Sequence, residues 1–216
     1  RRLLTCPLPY SHDDYEADSF LRLLEPLGIV SASLPDGPWL RIPSNTAARV
    51  DELLHGLAGG RFVTIFPGAS IPERRWGAAR FRGVAQLLAG EGIQTVVVGG
   101  GEDSGDGEEI VRGFQGVNLA GKTSLPETAA VIDRCAVLAS GDSGILHIGV
   151  GLGKATVSLF GPGISEKWAP RGDGHVVINR RLACSPCTRF GSTPKCAIGA
   201  KCISDIPPEE VHAAIV

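Results

Sequence analysis

The chain has 216 residues, of which 43% are hydrophobic and 20% are charged, and its formal net charge at pH 7 is −2. These proportions are typical of a globular protein and exclude a largely disordered chain. The balanced charge offers no basic surface to a polyanion, so we expect no nucleic-acid partner. The longest apolar runs, such as Ala155–Phe160, are too short to span a bilayer. The sequence contains no methionine, and we therefore expect it to be part of a longer protein.

The first 58 residues predict two helices joined by a connector. The segment His12–Gly28 carries apolar residues at helical spacing, and its final glycine is a helix stop signal. The Pro- and Gly-rich stretch Leu34–Pro38 is typical of a connector. A second helix follows, capped by Ser44 or Asn45. Two helices around a loop do not make a stable domain, so we predict that residues 1–58 are the tail of a preceding domain and a linker.

Residues 59–216 alternate short apolar strands with helices, which predicts an α/β fold with a Rossmann-like parallel sheet and helices on both faces. Ligands of such sheets bind at the carboxyl ends of the strands. The segment after Gly161 is irregular and rich in cysteine until a final helix that begins at Pro207. The predicted elements are strand Phe62–Phe66, helix Ala78–Gly90, strand Thr95–Val98, helix Gly107–Gly113, strand Val117–Leu119, helix Ser124–Cys135, strand Val137–Ala139, helix Ile145–Leu152 and strand Thr156–Phe160.

The first two strand-to-helix loops suit a nucleotide. Small residues at Pro67–Ser70, followed by Arg74 and Arg75, bring backbone N–H groups, a hydroxyl and guanidinium groups together, as a diphosphate requires. The alternative is a solvated basic turn. The glycines Gly99–Gly101 permit a close backbone approach, and Glu102 after them is suited to bind ribose hydroxyls. The alternative there is an ordinary surface turn.

The third loop contains a near match to a P-loop. Gly116–Thr123 satisfies the spacing G-x4-G-K-T. Its four intervening residues are Val, Asn, Leu and Ala, which are typical of a strand rather than of a phosphate-binding loop. A P-loop NTPase therefore stays an alternative, and Lys122 and Thr123 either contact a polar ligand or cap the following helix.

The fourth loop is Gly141–Gly144, with His147 one helical turn later. Ser143 and Gly144 would open a helix whose free N–H groups attract an anion, and Asp142 adds a carboxylate. A Ser–His–Asp hydrolase is an alternative, although the G-x-S-x-G elbow is missing. Another alternative is that His147 is simply a buried core residue.

These loops, in this order, resemble glycosyltransferase family 9, the ADP-heptose:lipopolysaccharide heptosyltransferases. The matching segments are Phe66–Ser70 with Arg75-Trp76, Val98–Glu102, Asn118–Leu125, Gly141–Gly144 with His147, and Leu159–Pro162.

The resemblance implies a GT-B architecture of two Rossmann-like domains, of which residues 59–216 would be the C-terminal, nucleotide-sugar-binding one. The implied function is transfer of heptose from ADP-heptose to the lipopolysaccharide inner core, with a non-catalytic nucleotide-binding module as the alternative. The implied donor-binding residues are Ser70, Arg74, Glu102, Lys122, Thr123, Asp142, Ser143, Gly144 and His147.

The implied chemistry needs no metal, because N–H groups and an arginine can stabilise the leaving diphosphate. The family's base is expected in an N-terminal domain, so the catalytic residues stay unassigned and we expect little or no turnover from this chain alone. The acceptor would bind through that other domain. No secretory signal is visible, so we expect the protein to be cytoplasmic. The resemblance implies that it could act at the cytoplasmic face of the inner membrane.

Four cysteines near the end of the chain have the spacing C-x2-C-x8-C-x5-C. Such a set can hold a structural Zn²⁺ ion tetrahedrally, and reduced packing thiols or a disulfide are the alternatives. The predicted ligands are Cys184, Cys187, Cys196 and Cys202.

Overall fold

The fold was examined in a computed structural model that describes residues 5–30, 33–34, 37–57, 61–189 and 191–216. Its strands are β1 (Phe62–Phe66), β2 (Gln94–Val97), β3 (Gly116–Asn118), β4 (Val137–Gly141), β5 (Ala155–Phe160) and β6 (His175–Asn179). Its α-helices are α1 (Glu16–Arg22), α2 (Ala47–Leu53), α3 (Ala78–Gly90), α4 (Ser104–Val111), α5 (Leu125–Arg134), α6 (Gly144–Gly151), α7 (Ser165–Trp168), α8 (Lys201–Ser204) and α9 (Pro208–Ile215). Short 3₁₀ turns cover Glu25–Leu27, Ser44–Thr46, Pro72–Arg74 and Gly101–Asp103.

The six strands form one parallel sheet in the order β3-β2-β1-β4-β5-β6. Val63 of β1 pairs with Thr95 of β2 on one side and with Val137 of β4 on the other. The chain therefore winds outward in both directions from β1 and β4. The point between these two strands is where doubly wound sheets open a crevice for a ligand.

Alternate side chains of the strands feed two cores, one on each face of the sheet. Val63 and Ile65 point to the first core, which also receives the apolar stripe of α3 and Val211 of α9. Phe62 points to the second core, where α5, α6 and Val50 of α2 pack. The prediction of a Rossmann-like parallel sheet with helices on both faces is confirmed.

The predicted strand Phe62–Phe66 and the predicted helix Ala78–Gly90 have the bounds that the structure gives them. The predicted helix over His12–Gly28 is too long. Only Glu16–Arg22 is α-helical, because Pro26 lacks an N–H and its ring disfavours a continuing α-helix. Gly28 ends the following 3₁₀ turn with φ of 82°, as the stop signal predicted.

Helix α2 and its neighbouring residues pack against the second core of the sheet. Val50 is fully buried, and Arg134 of α5 pairs with Asp51 at 2.7 Å. The backbone N–H groups of Trp39 and Leu40 both donate to the carbonyl of Gly151. The predicted boundary between residues 1–58 and 59–216 lies outside the described residues, so this division stays a prediction. Within the described part of the chain, no helix has the length and apolarity needed to cross a membrane.

Candidate functional site

Two adjoining cavities lie at the carboxyl ends of β1 and β4. The large cavity has a volume of about 620 Å³ and the small cavity about 390 Å³. Their linings share Ser70, Asp142, Ser143 and Gly144, so together they form one cleft. Arg74 and His147 line the large cavity only, whereas Glu102 lines the small one only. Seven of the nine predicted donor-binding residues therefore meet in this cleft.

An ion pair between the loops after β1 and β4 lies in the cleft. Nη1 of Arg74 is 2.9 Å from Oδ2 of Asp142, and the two side chains are 18% and 9% exposed. Among the described residues, Nε of Arg74 is buried and has no hydrogen-bond partner. Buried polar atoms are rarely left without partners, so this N–H is available to a bound acceptor.

Burial raises the pKa of Asp142, and the positive charges of Arg74 and His147 oppose this rise. Gly163 lies close behind the carboxylate, because a Cβ there would lie 3.2 Å from Cγ of Asp142. The carboxylate is therefore held between a guanidinium group on one side and a residue without a side chain on the other.

The amino end of α6 opens into the same cleft. Ser143 caps this helix, since its Oγ accepts from the N–H of Leu146 at 3.3 Å. The Oγ of Ser140 lies 2.9 Å from the Oγ of Ser143 and fixes it further. The first N–H groups of a helix have no partner within the helix and carry a partial positive charge. Together with Arg74, they make this part of the cleft suited to an anion.

His147 lies one turn into α6, and its ring is 6.4 Å from that of Trp168. Burial lowers the pKa of His147, and the charge of Asp142 only partly opposes this effect. The imidazole is therefore neutral at pH 7 and can donate or accept a hydrogen bond. The hydrolase alternative is not supported, because Asp142 pairs with Arg74 and Ser143 caps the helix, so neither is arranged to serve the imidazole as a triad.

The small cavity is organised by a second ion pair. Nη2 of Arg75 lies 3.0 Å from Oδ1 of Asp103, and Nε of Arg75 donates to the carbonyl of Ala69 at 3.1 Å. Oδ2 of Asp103 accepts from the N–H of Gly100 at 3.0 Å. These bonds join the loops after β1 and β2. Glu102 lies on the 3₁₀ turn Gly101–Asp103, and its exposed side chain is at the rim of the small cavity.

The family model for glycosyltransferase family 9 (heptosyltransferase) matches residues 38–198 of the chain. The chain belongs to glycosyltransferase family 9. The resemblance found in the sequence loops is thereby confirmed.

Individual relatives agree with this family. Lipooligosaccharide heptosyltransferase 2 of Haemophilus influenzae is 33% identical over 131 residues, which are 56% of this chain and 38% of that protein. The family 9 glycosyl transferase of Veillonella parvula superposes with a TM-score of 0.80 at 27% identity, covering 97% of this chain and 61% of that one. The E. coli heptosyltransferase WaaC, solved with ADP-2-deoxy-2-fluoro heptose, gives 0.63 at 18% identity, covering 96% and 56%. This last likeness concerns the fold alone. The chain spans less than two thirds of the length of each relative.

Two residues of the family 9 pattern lie outside the cleft linings. Nζ of Lys122 donates to the carbonyl of Asn118 at 2.9 Å, and the side chain is exposed. Oγ1 of Thr123 lies 2.8 Å from Oγ1 of Thr128, inside the first turn of α5. The near match to a P-loop is not a phosphate-binding loop, because Gly116–Asn118 forms β3. The contribution of these two residues to donor binding stays a prediction.

The four C-terminal cysteines line one cavity of about 260 Å³, which shares no lining residue with the cleft. Burial and the neighbouring thiols of Cys196 and Cys184 raise the pKa of Cys187, so the Cys187 thiol stays protonated unless a cation compensates. Among the described residues, no three His, Cys, Asp or Glu are arranged to hold a metal ion. Zinc binding here would need the side chains to move, and it stays a prediction.

Several lining residues of the large cavity were not predicted from the sequence. Four of them are Tyr10, His12, Lys167 and Trp168. The first two belong to the predicted tail and the others to a helix, α7, in a segment predicted to be irregular. No local motif marks them, because the contact between these two distant segments forms only in the folded chain.

Proposed function

We propose that this chain binds ADP-heptose and supplies the donor side of a heptosyl transfer to the lipopolysaccharide inner core. The observation that carries the proposal is the cleft at the β1–β4 crevice, where Arg74, Asp142 and the amino end of α6 converge. Membership of family 9 and the heptosyltransferases among the relatives support heptose as the transferred group.

In this proposal, each region of the cleft binds one part of the donor. Glu102 at the rim of the small cavity accepts hydrogen bonds from the ribose hydroxyls. The diphosphate lies over the residues common to both cavities, with the hydroxyl of Ser70 and the N–H groups of Gly144 and the next residues as donors. Arg74 then reaches it from the large cavity, where the sugar is bound.

The chemistry of this half is stabilisation of the leaving group. As the bond between the sugar and the diphosphate breaks, negative charge accumulates on the diphosphate. Fixed donors at Arg74 and α6 stabilise that charge without a metal ion, and Asp142 keeps the guanidinium group in place. The acceptor hydroxyl also needs a base. We place this base, and the acceptor site, in a separate N-terminal domain, and we expect the chain to act at the cytoplasmic face of the inner membrane.

Calorimetric titration with ADP, GDP, UDP and ATP, each with Mg²⁺ and with EDTA, tests the proposal. We expect selective binding of ADP that is unchanged in EDTA. Binding only of a triphosphate with Mg²⁺ would contradict it and favour an NTPase. Equal binding of all four nucleotides would favour a non-specific nucleotide-binding module.

A further inference from the structure

Lys167 of α7 is a buried cation beside the large cavity. The residue is 4% exposed. Its Nζ lies 2.7 Å from Oε2 of Glu16, which is itself 8% exposed at the start of α1. Burial disfavours the ammonium form, but hydrogen bonds with Glu16 and Tyr10 outweigh this and raise the pKa of Lys167. Lys167 is therefore charged, and its partner Glu16 is separated from it by more than half of the sequence.

The same ammonium group fixes the segment from Tyr10 to Glu16. It donates to the carbonyls of Ser11 and Asp14, each at 3.3 Å. It also lies 4.6 Å from the centre of the Tyr10 ring, a cation–π distance. The Tyr10 hydroxyl in turn donates to Oε2 of Glu16 at 3.1 Å. The buried pair thus helps to fix this segment against α7.

The fixed segment forms part of the lining of the large cavity. Tyr10 and His12 line that cavity together with Asp142 and His147. The rings of Tyr10 and His12 pack edge to face at 5.1 Å. Trp168, next to the buried lysine, adds a third ring system. Aromatic surfaces with a few polar groups are typical of small-molecule sites.

We propose that Tyr10 and His12 contact the transferred sugar of the donor and that the Lys167–Glu16 pair positions them. This inference rests on the proposed function. The nucleoside end of the cleft is the small cavity with Glu102, and the shared residues take the diphosphate. The part of the large cavity beyond them therefore receives the group on the far side of the diphosphate, which is the sugar. The contacts of Tyr10 and His12 should therefore contribute to the affinity for ADP-heptose but not to the affinity for ADP.

Parallel titrations with ADP and with ADP-heptose test this inference. For Tyr10→Ala and for His12→Ala, we expect the affinity for ADP-heptose to fall by about tenfold. Their affinity for ADP should stay within about twofold of the unmodified chain. Lys167→Met should show the same selective loss. The matched control is Lys154→Met, because Lys154 is a surface lysine before β5 that donates to the carbonyl of Asp133.

The outcomes separate this inference from the proposed function. Equal changes for both ligands, or no change for either, in the Tyr10 and His12 variants would overturn the inference, while ADP binding by the unmodified chain would still support the proposed function. An unmodified chain that binds neither ligand would instead refute the proposed function. Thermal unfolding of Lys167→Met shows whether that variant folds, and the Tyr10 and His12 variants decide the inference independently of it.

Discussion

Replacing Gly163 by alanine moves the carboxylate of Asp142 without changing any charge in the cleft. A Cβ at this position would overlap Oδ2 of Asp142, whereas ordinary contacts begin at 3.4 Å. The oxygen therefore has to withdraw by roughly 1 Å. This is the atom that lies 2.9 Å from Nη1 of Arg74, so the ion pair is stretched and the guanidinium group loses its fixed position.

The expected effect is a weaker site for the diphosphate. A hydrogen bond to a charged group contributes about 1.5–3 kcal/mol, and misplacing the guanidinium group forfeits much of one such bond. A loss of about 1.4 kcal/mol corresponds to a tenfold higher Kd for ADP. Calorimetric titration measures this change, and urea unfolding establishes that the variant is folded.

Gly105→Ala is the matched control. A Cβ at Gly105, in α4, would meet no atom within 4 Å. Alanine is a better helix former than glycine by about 1 kcal/mol, so this variant should be as stable as the unmodified chain or more so. Its ADP affinity should be unchanged. A folded Gly163→Ala variant with unchanged ADP affinity would refute the reasoning that the position of Asp142 matters for binding.

Three further changes test the site and the cysteines. Arg74→Gln should raise the Kd for ADP by about 10- to 150-fold in the same titration, and Arg74→Lys by less. An unchanged Kd would remove this arginine from the diphosphate site. Burial lowers the pKa of His147 from 6.5, so the unfolded chain binds more protons and stability falls as the pH drops below 6.5. Urea unfolding at several pH values should show a smaller fall for His147→Asn. Burial raises the pKa of Asp142 from 3.8, so its contribution has the opposite sign and stability falls as the pH rises above that value. Metal analysis of the purified protein checks the predicted zinc. We expect about one equivalent per chain, and we expect the double variant Cys184→Ser with Cys187→Ser to lose it. A metal-free chain would contradict this prediction.

The central strands could be predicted because both of their faces are covered. A strand buried on two sides is a nearly continuous apolar run, and β1 and β5 are such runs, interrupted only by small hydroxyl residues. The edge strand β6 was missed for the opposite reason. Its residues Val176 and Val177 are exposed, and it lies in an irregular region where no helix follows closely. Its pairing with β5, and not its sequence, makes it a strand.

The cleft was predicted only as far as its loops carry local signals. Arg74 and Arg75 are adjacent, and only the family resemblance, not the local sequence, indicated that Arg74 is the one that faces a ligand. The fold decides this, because Arg75 is turned to Asp103 after β2 while Arg74 is turned to Asp142 after β4. Each pairing depends on the strand order, which brings these loops together from distant parts of the chain.

The lining of the large cavity depends most strongly on contacts between residues that are far apart in the sequence. Lys167 and the carbonyl of Ser11 are 156 residues apart, and their contact forms only once the sheet is complete. A buried charge without its partner is strongly unfavourable, so removing Glu16 alone should cost about 3–5 kcal/mol. The loops proposed to bind the nucleotide depend on local glycines and caps, whereas the surface proposed to face the sugar depends on contacts between distant segments, this pair among them. We therefore expect changes in the segment Tyr10–Glu16 to alter the choice of sugar while the proposed nucleotide site keeps its geometry.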